Sequence, residues 1–223
     1  MAPATATQID PSRLSKIQSL YSGSHPKNGN GHVEACAMEA VAYIAGEPWS
    51  DHPECACPVL GAFMRTWNDN LPDGQRTSLL LPFIPRLVGT RGSKALEARR
   101  ANMAADWYIR VFTPAWLRLA GLDKHADALA SFPEITSFAK VPSLKPVLAA
   151  AQKDAEAAWS AAESAARSAA WSVARSAAES AAWSAARSAA LAKLQSTSDE
   201  LQKSALDLLD RMINAKDEDR EAA

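Results

Sequence analysis

Proline is spread so unevenly along this chain that it constrains the architecture more than any other feature. Of 13 prolines in 223 residues, twelve lie in residues 1–145 and none follows Pro146. Proline lacks an N–H and its ring clashes with the preceding helical turn, so the front of the chain is restricted to short, punctuated helices. Behind Pro146 nothing breaks a helix. Residues 149–190 hold 21 alanines in 42 positions, and alanine is the best intrinsic helix former, so a long helix is predicted there.

Inside that segment, Ala157 to Ser188 repeats every four residues as AAWS, AAES, AARS, AAWS, VARS, AAES, AAWS, AARS. A four-residue period advances about 40° per repeat on a helix of 3.6 residues per turn, so the stripe of large residues winds around the axis in the right-handed sense and is no heptad seam. Trp159, Glu163, Arg167, Trp171, Arg175, Glu179, Trp183 and Arg187 become i,i+4 neighbours. Glu163 with Arg167 is an expected ion pair, and Trp171 with Arg175 and Trp183 with Arg187 are expected cation–π contacts. Two readings stay open: an expanded repeat tolerated because it is helical and soluble, or a spacer and oligomerisation helix. Farther on, Leu191, Leu194, Leu201, Leu208 and Met212 fall on heptad spacing, with Ser198 and Ala205 at the remaining core positions. Thr197 and Glu200 have the spacing of a capping box, so the alternatives are a single rod of roughly 100 Å and a hairpin turning near Ser196.

The front reads as a series of helices. Asp10 and Pro11 open one that carries Leu14, Ile17, Leu20 and Tyr21 and ends at Gly23; Val33, Cys36, Val41 and Ile44 mark a second, closed by Gly46. Pro58 opens a third through Leu60, Phe63, Met64 and Trp67. Pro82 and Pro85 divide the apolar residues 76–88 into two short helices or a kinked one. Ser93 starts a longer helix through Leu96, Met103, Trp107 and Val111; Thr113 and Pro114 start the next, which Gly121 stops; Asp123 starts a short last one through Ala126 and Leu129. No run alternates with period two between turn signals, so strands are not expected. The fold class is therefore all-α: a compact multi-helix N-terminal domain followed by a long Ala-rich helix or helical hairpin. The segments are an N-terminal helix or arm (1–22), a compact helical domain (23–141), the repeat helix (142–195) and an amphipathic C-terminal helix (196–223).

Composition narrows the function classes. With 48% hydrophobic and 22% charged residues the chain can bury a core, and 24 basic against 25 acidic residues leave no global positive field to recruit nucleic acid. No apolar run reaches the ~18 residues of a membrane span and no leader pattern opens the chain, so a cytoplasmic location without membrane attachment is expected. Three cysteines cannot all pair within one chain, which favours free thiols or a metal over disulfides.

Three groupings have the residue types that chemistry needs. His32, Cys36, His52, Cys55 and Cys57 offer nitrogen and sulfur ligands that zinc accepts in a tetrahedral set, although the C-x-C spacing differs from a C-x-x-C knuckle. Glu39, Asp51 and His52 make an acid/base site if they converge, and helix caps if they do not. The loop Gly89-Thr90-Arg91-Gly92-Ser93-Lys94 precedes a predicted helix, and its glycines, hydroxyls, cations and free N–H groups suit a phosphate. It lacks the Gly-Lys-Ser/Thr order of a Walker loop, and Arg91, Ser93, Lys94 and Arg99 are its expected ligand-binding residues. The tryptophans Trp49, Trp67, Trp107 and Trp116 are expected in the core.

The strings GSH (23–25), CAMEAVAYIAGEPWSDHPECACP (36–58), WND (67–69), LVGTRG (87–92), DWYIR (106–110) and TPAWLRLAGL (113–122) resemble a helical domain of uncharacterised function found in bacterial, especially actinobacterial, and phage proteins. The resemblance covers about residues 20–132; it implies the helical fold and carries no activity with it. The expected function is a non-enzymatic helical scaffold or binding protein that self-associates through its C-terminal helices. The alternatives are a phosphate- or nucleotide-binding protein, a sequestering one included, and a zinc-dependent enzyme using Glu39 or Asp51.

Overall fold

The computed structural model describes residues 9–26, 33–157 and 177–217. They form an all-α chain, as the proline and alanine pattern requires: α1 (Pro11–Leu14), α2 (Ala37–Ala45), α3 (Pro58–Asn70), α4 (Asp73–Leu80), α5 (Ile84–Leu87), α6 (Lys94–Trp107), α7 (Thr113–Leu119), α8 (Asp123–Ala130), α9 (145–157) and α10 (Ala177–Asn214). Among the described residues the only strand-like pairing is a parallel bridge between Leu20 and Ala35, and no helix is long and apolar enough to cross a membrane. The chain divides into two compact units, Met1–Ala101 with Leu209–Ala223, and Asn102–Leu208.

In the first unit the buried core includes Met38, Ile44, Leu60, Met64, Leu80, Ile84 and Leu87 from α2 to α5, with Leu209 and Met212 from the end of α10. The N-terminal segment departs from its expected helix. Asp10 caps α1 by accepting from the Ser12 and Arg13 N–H groups, but the helix stops at Leu14. Beyond it the chain straightens, because the Leu20 N–H finds Thr77 Oγ1 at 2.9 Å and the Tyr21 N–H finds the Ala35 carbonyl at 3.0 Å. Ile17 and Leu20 are still buried, so their spacing correctly marked the residues and not the local structure. Likewise Val33 and Cys36 precede α2, where Cys36 is the N-cap, and Gly46 closes the helix at φ 76°. Pro58 opens α3 as expected, and Pro82 and Pro85 split residues 73–87 into α4, a 3₁₀ turn and α5.

The second unit packs Leu117, Ala126, Leu129, Ile135, Leu144 and Ala151 together, flanked by Ile109, Leu122, Phe132, Val147 and Leu148. Thr113 and Pro114 open α7 as expected, but no loop separates it from α6. The helix passes through a π turn, Tyr108–Phe112, in which the Thr113 N–H and hydroxyl both reach the Tyr108 carbonyl. Pro114 has no N–H to continue the ordinary ladder, and the widened turn accommodates that loss without ending the helix. Trp107 Nε1 donates to Ser204 Oγ at 2.6 Å, while Trp116 is 39% exposed, outside the core where it was expected.

At the C-terminal end, the hairpin turning near Ser196 is not formed. Ser196, Thr197 and Glu200 lie inside α10, which runs unbroken over 38 residues. A capping box at Thr197 needs non-helical backbone at that residue, and no glycine or proline between 147 and 223 is there to supply a break. The heptad positions divide along this helix: Leu191 and Leu194 are 55% and 42% exposed, whereas Leu201, Ala205, Leu208 and Met212 are buried within the chain's own fold. The pairs expected among Trp159, Glu163, Arg167, Trp171 and Arg175 lie outside the described residues, as does side-chain pairing of Trp183 with Arg187.

Candidate functional site

The cysteine and histidine residues of the expected zinc group serve the backbone in different places. Cys36 caps α2: its Sγ accepts from the Glu39 N–H, and Glu39 Oε2 accepts from the Cys36 N–H at 2.8 Å. The buried Glu39 carboxylate also takes the His25 N–H at 2.7 Å and contacts His25 Nδ1 at 3.2 Å, so it finishes a helix start and pins the preceding loop. The Cys55 N–H donates to Glu47 Oε1 at 2.7 Å, and the Cys57 N–H donates to Thr90 Oγ1 at 3.1 Å. His52 is exposed and shares a 2.7 Å hydrogen bond with Asp51. Among the described residues no three His, Cys, Asp or Glu side chains converge in a metal-binding group; His32 lies outside the described residues. Burial, reinforced by Glu39, pushes the Cys36 thiol up to about 12, and burial with the Glu47 carboxylate pushes Cys55 up to about 11.

The glycine-rich loop is held against these same residues. The Arg91 N–H donates to the Cys55 carbonyl at 3.1 Å, and Gly89 takes φ 76° so that the chain can reverse after α5. Two groupings that look independent in the sequence are thus one neighbourhood. On the other side of the loop is a cleft of about 810 Å³, lined by Arg86, Arg91, Ser93, Arg100, Lys216 and Asp217 among others. Four cations face it against one carboxylate. Arg86 pairs with Asp210 at 2.6 Å. Arg100, 2% exposed, gives Nε to the Met212 carbonyl at 2.8 Å, Nη1 to Thr90 at 2.6 Å and Nη2 to Ala215 at 3.3 Å. Its charge stays in place while its fork closes the last turn of α10.

Ser93 precedes α6, and its Oγ accepts the Leu96 N–H at 3.1 Å as an N-cap. The Ser93 N–H also donates to Asp217 Oδ2 at 3.3 Å, and the Ser93 hydroxyl bonds Asp217 Oδ1. An oxyanion, the protein's own, therefore lies at the N-terminal end of a 14-residue helix, where N–H groups and the helix dipole favour negative charge. Of the four residues expected to bind a ligand, Arg91 and Ser93 line the cleft, Lys94 pairs with Glu97 at 2.7 Å, and Arg99 is exposed and not part of the lining. Arg86, Arg100 and Lys216 were not in that expected set. Arg100 alone left a sequence signal: it falls on the stripe of Leu96, Met103 and Trp107, a charged residue on an apolar helical face.

Together these features define an all-α protein with a cationic cleft assembled from a loop, the start of α6 and the end of α10. No family model, curated protein or solved structure matches the chain.

Proposed function

We propose that this chain is a non-enzymatic binding protein that holds a small phosphate-bearing anion in the cleft beside Arg91. The observation that carries the reading is the Asp217 carboxylate on the Ser93 N–H and hydroxyl, inside a cleft whose other charged lining residues are all cations. A phosphoryl group presents the same oxygens with more charge, and Arg91, which donates only one long bond of 3.4 Å to the Glu54 carbonyl, is the cation best placed to meet it. The volume of about 810 Å³ is in the range of small-molecule sites. Titration calorimetry of the full chain with pyrophosphate is expected to show binding that weakens with salt and falls at least tenfold in Arg91→Ala. Binding indifferent to Arg91→Ala would overturn the assignment, as would no binding at low salt.

Self-association through α10 is a second reading, favoured by the exposure of Leu191 and Leu194 three residues apart on a helix otherwise rich in Ala and Ser. The burial of Leu201, Leu208 and Met212 confines it to the part of α10 before Leu201.

A further inference from the structure

A second cavity, of about 170 Å³, lies across Arg91 from the cleft, and its lining includes Arg65, Arg91, His52, Met38 and Gly61. Its charges are unbalanced. Arg65 Nη1 donates to the Asp51 carbonyl at 2.9 Å and Arg91 Nη1 to the Glu54 carbonyl at 3.4 Å; among the described residues neither guanidinium forms an ion pair. Backbone carbonyls satisfy one N–H of each fork, so the remaining N–H groups of the half-buried Arg65 and the exposed Arg91 are open to a further acceptor. Arg76 in the same unit, by contrast, meets the Asn68 and Leu71 carbonyls and the Asp73 carboxylate.

Gly61 is the second, independent observation. It sits inside α3 with helical backbone, where glycine is the least favourable residue after proline. No turn requires it. A Cβ at this position would stand 3.3 Å from Arg65 Nη1 and 3.5 Å from Met38 Cε, both lining residues of the cavity. Glycine therefore leaves room for the Met38 and Arg65 side chains to close over α3, and a methyl group here would intrude on the lining of the cavity.

We infer that the pocket between Arg65 and Arg91, floored by Gly61, is a separate site for one tetrahedral oxyanion of phosphate size. Two guanidinium forks accept such an ion through several N–H···O bonds, and His52 at the rim, fixed by Asp51, adds a polar edge. The site shares Arg91 with the cleft but uses neither Ser93 nor the start of α6, so Arg65→Gln and Ser93→Ala tell the two apart.

The test is an amide and side-chain NMR titration of the full chain with inorganic phosphate. Shifts are expected at Gly61, His52 and the Arg65 side chain, weakened at least fivefold in Arg65→Gln and in Gly61→Ala, and retained in Ser93→Ala. Gly61→Ala keeps both charges and improves helix propensity, so a preserved spectrum elsewhere shows that the fold survives. Phosphate shifts confined to Gly92 and Ser93 would overturn this pocket and leave the cleft standing. Shifts at position 61 and at His52 that persist unchanged in both Gly61→Ala and Arg65→Gln would overturn it too, and a titration silent at both places would overturn both assignments.

Discussion

Burial keeps the proton on Cys36, against the pull of the helix N-terminus that the residue caps, whose Glu39 N–H favours a thiolate. A thiolate there would be buried beside the Glu39 carboxylate, and a charge without water or a cation is costly, so the folded protein keeps the neutral thiol. Cys55 is in the same position beside Glu47. The unfolded chain has no such restraint and loses these protons near the ordinary thiol value of about 8.5. Folded-state values raised to about 12 and about 11 mean that the thiols cost no stability below the unfolded value, and that stability falls as pH rises from there toward the folded values. Urea unfolding between about pH 8 and 10.5 is expected to show a decline of roughly 2 to 3 kcal/mol per thiol, and the combined variant Cys36→Ser, Cys55→Ala to flatten it. An unchanged alkaline slope in that variant would refute the assignment. Serine at position 36 retains an N-cap oxygen, so the helix start is preserved.

At the level of elements, α10 divides by burial into halves with different sensitivities. Leu208 is wholly buried and Leu191 is 55% exposed, although both occupy heptad positions. Leu208→Ala is expected to cost about 2–5 kcal/mol by urea unfolding, and Leu191→Ala less than about 0.5 kcal/mol. Equal losses would mean that the N-terminal half of the seam is covered too, as a self-associating helix requires, and a sedimentation run at two concentrations separates that case. The same helix shows what was legible in advance. Its length follows from alanine content and the lack of proline, and several helix starts and stops were marked by Pro11, Pro58, Gly46 and Gly121. Propensity and periodicity are local, and they failed where distant partners decide. The straightening after Leu14 depends on Thr77 and Ala35, far along the chain. In the candidate site, the loop and Arg91 were readable as anion-binding chemistry. Lys216 and Asp217 were not, because they reach the loop only when the end of α10 packs beside α6.

For the whole molecule, that return of the C-terminal residues makes ligand binding and folding stability two measures of one contact. Asp217 stabilises the unliganded protein through Ser93, and by the proposed reading it must leave before a phosphoryl group takes the same donors. Asp217→Asn therefore has opposite effects on the two quantities. Without ligand, the weaker acceptor is expected to lower stability by about 1 kcal/mol, the size of a lost charge-assisted hydrogen bond on an exposed surface. With ligand, no carboxylate has to be displaced and one negative charge is gone from the cleft, so pyrophosphate is expected to bind several-fold tighter. Binding to the native state alone stabilises by RT ln(1 + [L]/Kd), about 2.7 kcal/mol at a hundredfold excess over Kd. Thermal unfolding across a pyrophosphate series then gives two curves that cross: the variant melts below the parent at zero ligand and rises more steeply as ligand is added. Parallel curves would mean that Asp217 lies outside the anion's path, and a variant curve with the shallower rise would mean that the carboxylate helps to build the site it faces.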